Sequence, residues 1–340
     1  MSSGKLPQIK PEIDVFREDI SLDQLVRPTT FKDYVGQDKI KSNLQTIIHA
    51  AQKRHEVIDH ILLYGQAGLG KTTLAMLIAK ELGSHLRITA GPSIEKAADL
   101  ATILSGLEEG DVLFIDEIHR LNRMIEEMLY PAMESRVLHL VIGKGPAARM
   151  ISIDLPPFTL IAATTRVNLL SGPLRSRFGA TFRIDYYSQE DIGHIIERSA
   201  KLMKLQIDPE AVVVIARASR FTPRTANRLL RRVRDVMQIE DKEKIDVAVA
   251  QTALDMFEID ELGLEDHDRR LLRVLVEKFN GGPVGLSTLA AAIGEDKGTI
   301  EDVYEPYLLK NGLIARTASG RVATPATYRH LNIKKEELFS

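Results

Sequence analysis

The stretch Gly65-Gln66-Ala67-Gly68-Leu69-Gly70-Lys71-Thr72-Thr73 constrains this 340-residue chain more than any other. It matches G-x-x-x-x-G-K-[ST] in full, after the apolar run Ile61-Leu62-Leu63-Tyr64 and before the helix-like Leu74-Ala75-Met76-Leu77-Ile78-Ala79. Strand, glycine-rich loop and helix in that order make a phosphate cradle. The glycines reach backbone angles that other residues resist, so successive N–H groups can turn inward on an anion. The helix N-terminus adds its partial positive charge. In such a cradle Gly68 and Gly70 shape the loop and Lys71 reaches the β- and γ-phosphates, while Thr72, followed by Thr73, offers a hydroxyl to Mg²⁺. A glycine-rich turn with a chance lysine does not account for both flanking elements. The chain is expected to bind a nucleoside triphosphate.

A second signature fits beside it. Asp111-Val112-Leu113-Phe114-Ile115-Asp116-Glu117 is a buried-type strand that ends on two carboxylates, and such a strand has little reason to do so unless a cation waits there. Next to a P-loop, Asp116 would organise Mg²⁺ and Glu117 would polarise the water that attacks the γ-phosphate. Two acids opening a following helix is the competing reading. Phe158-Thr159-Leu160-Ile161-Ala162-Ala163 is another buried strand, ending in Thr164-Thr165-Arg166, where a hydroxyl could hold the attacking water. Leu86-Arg87-Ile88-Thr89-Ala90 reads as a further strand, stopped by Gly91-Pro92. The first half is thus α/β, a parallel sheet with flanking helices.

Composition bounds what the rest can do. The formal net charge is −2, so any nucleic-acid contact must come from a local patch. The sequence has no cysteine, which removes disulfides and thiolate metal sites and suits a reducing, cytoplasmic setting. No apolar run approaches the ~18 residues of a membrane span, and residues 1–20 read as a loose charged arm.

Several segments leave alternatives open. Val26 and Arg27, upstream of the P-loop, either pack or fold over the base of a nucleotide. Leu138–Ile142 and Met150–Leu155 read as a hairpin turning through Gly143–Arg149, with more apolar residues than a solvated protrusion needs. Its faces either join the sheet or dock a partner. Arg175 and Arg177, in the turn-rich Pro173–Gly179, are either solvated charges or hold a finger supplied to a neighbour's γ-phosphate. From Gln189 to Glu258 the pattern is helical throughout, a small all-α domain. There Thr222-Pro223-Arg224 opens a helix on which Arg228, Arg231, Arg232 and Arg234 follow. An arginine at a helix start opposes the dipole, and an external anion would explain it.

Residues 260–266 are acidic and read as a linker, and His267 to Ser340 resembles a winged helix. Its helices are expected over Arg269–Phe279, Thr288–Ile293 with Ser287 as cap, and Thr299–Lys310. A wing hairpin then turns at Ala318-Ser319-Gly320. The third helix carries Glu301, Asp302 and Glu305, a poor face to push among phosphates, whereas the wing carries Arg316 and Arg321 and no acid. The wing is therefore expected to touch the DNA backbone without reading bases, with a protein-docking winged helix as the alternative.

Together these features resemble the RuvB family. The match is carried by Gly65–Thr73, by Leu113-Phe114-Ile115-Asp116-Glu117-Ile118-His119-Arg120, by Gly145–Arg149 and by Ile153–Leu160. Further on it is carried by Asn227–Asp235, Gly281-Gly282-Pro283-Val284-Gly285-Leu286 and Ala290–Gly294. The resemblance implies an AAA+ large domain over residues 1–187, an α-helical lid over 188–258 and a winged-helix head over 261–340. It implies a homo-hexameric, ATP- and Mg²⁺-dependent motor that migrates Holliday junctions along duplex DNA. A RuvA-type partner would dock on hairpin 138–155, and a RuvC-type resolvase would act indirectly. Arg177 would be the trans arginine finger, Thr165 sensor 1 and Arg224 sensor 2. Val26, Arg27, Tyr187 and Glu134-Ser135-Arg136 would lie near the nucleotide, and Arg316 and Arg321 at the DNA. Two segments depart from the pattern: Ser135-Arg136 replaces an acid and an aromatic, and Phe221 stands where glycine is usual before Thr-Pro-Arg. A clamp-loader-like or initiator-like AAA+ switch, which changes partners without translocating, is the alternative from another class.

Overall fold

The computed structural model describes residues 22–142 and 149–333. The expected N-terminal arm and the hairpin turn at residues 143–148 lie outside the described residues. The chain divides into two compact units. The first runs to Lys204 and takes in Phe221–Asn227; the second comprises Leu205–Arg220 and the chain from Arg228 on.

The first unit is built on a five-stranded parallel sheet in the order β2-β3-β6-β1-β7. These strands are β1 (Ile61–Tyr64), β2 (Leu86–Ala90), β3 (Val112–Asp116), β6 (Thr159–Thr164) and β7 (Ala180–Arg183). β3, β6 and β1 are buried along almost their whole length, which is why they read as unbroken apolar runs. The edge strands alternate or stay half covered. The sequence reading missed β7, whose four residues carry only Ala180 and Phe182 as apolar signals. In register, Tyr64 stands beside Thr164 and Ala90 beside Asp116, so the P-loop, the acids and the threonines all leave the same end of the sheet.

The helices of this unit are α1 (Asp38–Arg54), α2 (Lys71–Leu82), α3 (Ala97–Ser105), α4 (Arg123–Glu134), the short α5 (Gly172–Arg175) and α6 (Gln189–Leu202). One face of the sheet, with Leu113, Ile115, Leu160 and Ala162, shares a core with Leu100 and Leu104 of α3 and with Ile125, Leu129 and Met133 of α4. The hairpin strands β4 (Val137–Ile142) and β5 (Arg149–Asp154) form a separate two-stranded sheet and pair with none of the five. Leu138 and Leu155 anchor its base in that core. Farther out, Val141 and Met150, direct cross-strand partners, are each 68% exposed.

The second unit holds α7 (Pro209–Ala218), most of α8 (Pro223–Ile239) and α9 (Val247–Met256), followed by the winged helix. Its helices are α10 (Asp266–Glu277), α11 (Leu286–Ile293), α12 (Glu305–Lys310) and α13 (Pro325–His330), with wing strands β8 (Ile314–Thr317) and β9 (Gly320–Ala323). Three boundaries correct the sequence reading. α10 starts earlier because Glu265 and Asp268 close a capping box. Gly285, not Ser287, is the N-cap of α11. The third helical stretch starts at Lys297 after the Asp296 cap and passes through a π-wound turn, Ile300–Tyr304, before α12. Pro306 has no N–H to give to the carbonyl four residues back, and the wider turn just ahead of it absorbs that gap.

Residues 260–266 are no loose linker. The Asp260 carboxylate accepts the N–H groups of Leu262 and Leu264 and meets His330 Nε2 at 2.8 Å, while Leu264 is fully buried. The arginines of α8 also find partners within the chain: Arg228 pairs with Glu265 at 2.6 Å, and Arg232 and Arg234 both pair with Asp235.

Candidate nucleotide site

A cleft of about 460 Å³ opens where β1, β3 and β6 end. Gly68, Gly70, Lys71, Thr72 and Thr73 line it with Asp116, Glu117, Thr165 and Arg224, and Val26 and Arg27 line it too. Segments far apart in the sequence thus meet in one place.

The P-loop geometry follows from its glycines. Gly68 and Gly70 have φ of 80° and 95°, in the left-handed region that favours glycine. A Cβ on Gly70 would sit 2.9 Å from the Tyr34 hydroxyl, and one on Gly68 would sit 3.1 Å from Arg224 Cβ. The turn is braced from behind: the buried Tyr187 hydroxyl donates to that of Tyr34 at 2.9 Å, and Tyr34 reaches the Leu69 carbonyl at 3.4 Å. Burial pushes the Tyr187 phenol up to about 12 and raises Tyr34 as well, so both are neutral props. Tyr187 backs the loop without lining the cleft. Tyr34 has the same role, and nothing in the sequence reading marked it.

Lys71 is largely buried, with Nζ donating to the carbonyls of Gly65 and Gln66 at 2.8 Å each. Burial lowers its pKa to about 8; Asp116 and Glu117 oppose that shift, and Arg224 adds to it. All four charges line the same cleft. At the end of β3, Asp116 accepts the backbone N–H of Glu117 at 2.9 Å. Glu117 has φ 48°, a left-handed backbone of the kind that marks functional turns. Its carboxylate meets Arg120 at 3.3 Å. Across the gap, the Thr164 hydroxyl accepts the Arg166 N–H and pairs with His119 Nδ1, both at 2.9 Å, fixing the turn that presents Thr165.

Thr222 and Pro223 open α8, and the Arg224 N–H reaches the Gly68 carbonyl at 3.4 Å. Arg220 and Phe221 both have positive φ, 52° and 54°. The backbone at Phe221 is thus one that glycine adopts freely and that other residues resist. Asn227, one helical turn beyond Arg224, also lines the cleft and accepts from Ser199 at 2.7 Å. The i, i+3 spacing is the signal that could have found it.

Two groups of expected residues stand elsewhere. Arg177, Glu134 and Arg136 line a separate cavity, with Ser135 in the same segment. Arg177 lies 3.1 Å from Glu134 and 4.3 Å from the centre of the Tyr130 ring. The chain does not bring these residues to its own P-loop. In the wing, Arg316 and Arg321 are directly opposite each other and both grip Glu305. The sequence reading put Glu305 on the helix surface; it is fully buried, because the two guanidiniums compensate its charge.

Comparison with known proteins agrees with this arrangement. Residues 26–184 match the model of the Holliday junction DNA helicase RuvB P-loop domain, 187–260 the RuvB AAA lid domain and 261–332 the RuvB C-terminal winged helix domain. Among solved structures, the Thermotoga maritima RuvB Holliday junction branch migration motor is 45% identical, with 92% of this chain and 99% of that one covered and a TM-score of 0.84. A point mutant of T. maritima RuvB, solved separately, is 44% identical over the same shares, with a TM-score of 0.85. The Aeropyrum pernix ORC2 protein is 15% identical over 88% of this chain and 91% of its own, with a TM-score of 0.52, a likeness of fold alone. Among the described residues no helix is long and apolar enough to cross a membrane. With all three domain models matched in order and 44–45% identity to solved relatives across nine-tenths of its length, the chain belongs to the RuvB family of AAA+ P-loop ATPases.

Proposed function

We propose that this protein is an ATP-driven motor subunit that moves duplex DNA and so migrates a Holliday junction. The observation that carries the reading is the single cleft joining Lys71, Thr72, Asp116, Glu117, Thr165 and Arg224, in a chain that continues into a winged helix. The donors suit the ligands. Gly68 and Gly70 leave room for phosphate, and the Thr72 hydroxyl and Asp116 carboxylate are the hard oxygens that Mg²⁺ prefers. Bound there, Mg²⁺ would supply charge neutralisation on the phosphate oxygens.

The chain's own residues divide the remaining work. Lys71, whose charge burial disfavours, is restored to full charge by a phosphate beside it. The Glu117 carboxylate orients the attacking water, with the Thr165 hydroxyl as second support. Arg224 meets the γ-phosphate from the first turn of α8, and Val26 and Arg27 bound the cleft where the base lies. Arg177, held apart from its own P-loop, acts on the nucleotide of a neighbour in a homo-hexamer. Glu134, Ser135 and Arg136 face that same junction between subunits. Loss of a trans arginine costs ~10³-fold or more in turnover. Arg316, the more exposed of the wing arginines, touches the DNA backbone, with Arg321 beside it on the same Glu305, which suits a motor that must pass any sequence. The exposed apolar hairpin around Val141 and Met150 docks a RuvA-type partner, and a RuvC-type resolvase acts downstream of that assembly.

Nucleotide affinity and ATP turnover of wild type, Lys71→Ala and Glu117→Gln test the chemistry. Lys71→Ala is expected to lose binding. Glu117→Gln keeps affinity while turnover falls by about 100-fold or more. Wild-type turnover in Glu117→Gln would remove Glu117 from its role.

A further inference from the structure

Arg177 is held by a network that no contact with its own chain's nucleotide cleft explains. Its side chain is 19% exposed, and Nη1 donates to the Pro173 carbonyl at 2.6 Å. One face lies on the Tyr130 ring, 4.3 Å from its centre. The ring is itself fixed at its far end: the Tyr130 hydroxyl donates to Glu126 Oε1 at 2.8 Å and lies 3.0 Å from Ser171 Oγ. Glu126 is buried, and Ser171 donates to the same carboxylate oxygen. Ser171 also caps α5, the turn that leads into Arg177, by accepting the Leu174 N–H at 3.1 Å. One carboxylate thus locks both the ring beneath the guanidinium and the turn that carries it.

Besides the Pro173 carbonyl, two side chains lie against the guanidinium, Glu134 and Tyr130, and they act differently. Glu134 is of opposite charge, so its contact offsets part of the guanidinium charge, and, being more than half exposed, it holds the group weakly through screening water. The Tyr130 ring is neutral. It attracts a cation through its π face and leaves the charge intact. A group that must deliver positive charge to a phosphate outside its own subunit needs that kind of support.

We propose that Tyr130 is a positioning residue for Arg177: its ring face, anchored through Glu126 and Ser171, sets the guanidinium in the orientation presented to the neighbouring subunit's nucleotide. The inference rests on the reading of Arg177 as a trans-acting group.

The test is steady-state ATP hydrolysis by the full-length protein with duplex DNA, comparing wild type, Tyr130→Leu, Tyr130→Phe and Arg177→Ala. Tyr130→Leu is expected to lower kcat about tenfold at unchanged KM for ATP, since the variant's own cleft is intact. Tyr130→Phe keeps the ring and loses less than about threefold. Mixing Tyr130→Leu with Lys71→Ala subunits gives some intact P-loops a neighbour with an intact Tyr130–Arg177 pair. Activity of the mixture should exceed the mean of the two separate preparations. Should Tyr130→Leu unfold, Glu126→Gln tests the same split, with a fall in kcat of about threefold at constant KM. Arg177→Ala with wild-type kcat overturns the trans reading itself. Arg177→Ala deficient but Tyr130→Leu fully active overturns the positioning role alone. A raised KM in Tyr130→Leu, or no gain on mixing, overturns it too, because either places the defect in the variant's own cleft.

Discussion

Gly70 shows how little freedom the phosphate cradle has. Its φ of 95° and the Tyr34 hydroxyl 2.9 Å from where a Cβ would stand rule out a side chain without movement. Gly70→Ala is expected to cost about 1–2 kcal/mol in stability and to weaken nucleotide binding by about tenfold or more. Thermal unfolding and nucleotide titration check both, and normal affinity would contradict the account. The P-loop and the two acids were legible because their chemistry is written in consecutive residues. The tyrosine props were not: Tyr34 and Tyr187 lie 153 positions apart and meet only through the fold. Phe221 was legible as an oddity, and its φ of 54° gives the reason.

Among the elements, the wing shows most clearly what a linear reading leaves out. Spacing revealed two strands and two arginines, and charge counting assigned the arginines to the DNA backbone, with no sign of an acid between them. In three dimensions Arg321 is 15% exposed and Arg316 47%, and both are tied to the fully buried Glu305 of α12. Breaking a fully buried ion pair from one side costs ~3–5 kcal/mol. With Arg316 half in water, Glu305→Ala is expected to cost about 2–3 kcal/mol, read from denaturant unfolding; an unchanged midpoint would contradict the clamp. Arg316→Ala should weaken DNA binding evenly across sequences and reduce the salt dependence by about one counterion. A loss confined to particular sequences would contradict backbone contact. The hairpin follows the same logic. Its apolar excess was visible, but only the structure separates Leu138 and Leu155, which anchor the base, from Val141 and Met150 beyond it.

At the scale of the whole molecule, each unit carries a histidine whose titration acts in the opposite direction. In the first, His60 Nδ1 accepts the Leu160 N–H at 2.9 Å and Nε2 lies 3.2 Å from the Met133 carbonyl. Burial lowers its pKa below the ordinary 6.5. The unfolded chain therefore takes up this proton first, and stability falls as pH drops through 6.5. In the second, the hydrogen bond to Asp260 raises His330 above 6.5, against the opposing effect of burial. That contribution is complete below pH 6.5 and disappears as pH rises through the raised value. The stability deficit of His60→Gln relative to wild type should grow from about pH 5.5 to 8, and that of His330→Gln should shrink. Urea midpoints across that range decide, and the reverse trends would contradict both assignments.

Hydrolysis in this cleft is proposed to drive the movement of DNA. The most direct measurement is ATP-dependent dissociation of a synthetic four-way junction by wild type and by Glu117→Gln, each with a RuvA-type junction-binding partner present. Wild type is expected to dissociate the junction, and Glu117→Gln to bind it without moving it. If wild type binds the junction and hydrolyses ATP yet leaves the strands in place, the protein is a nucleotide-dependent switch and not a motor.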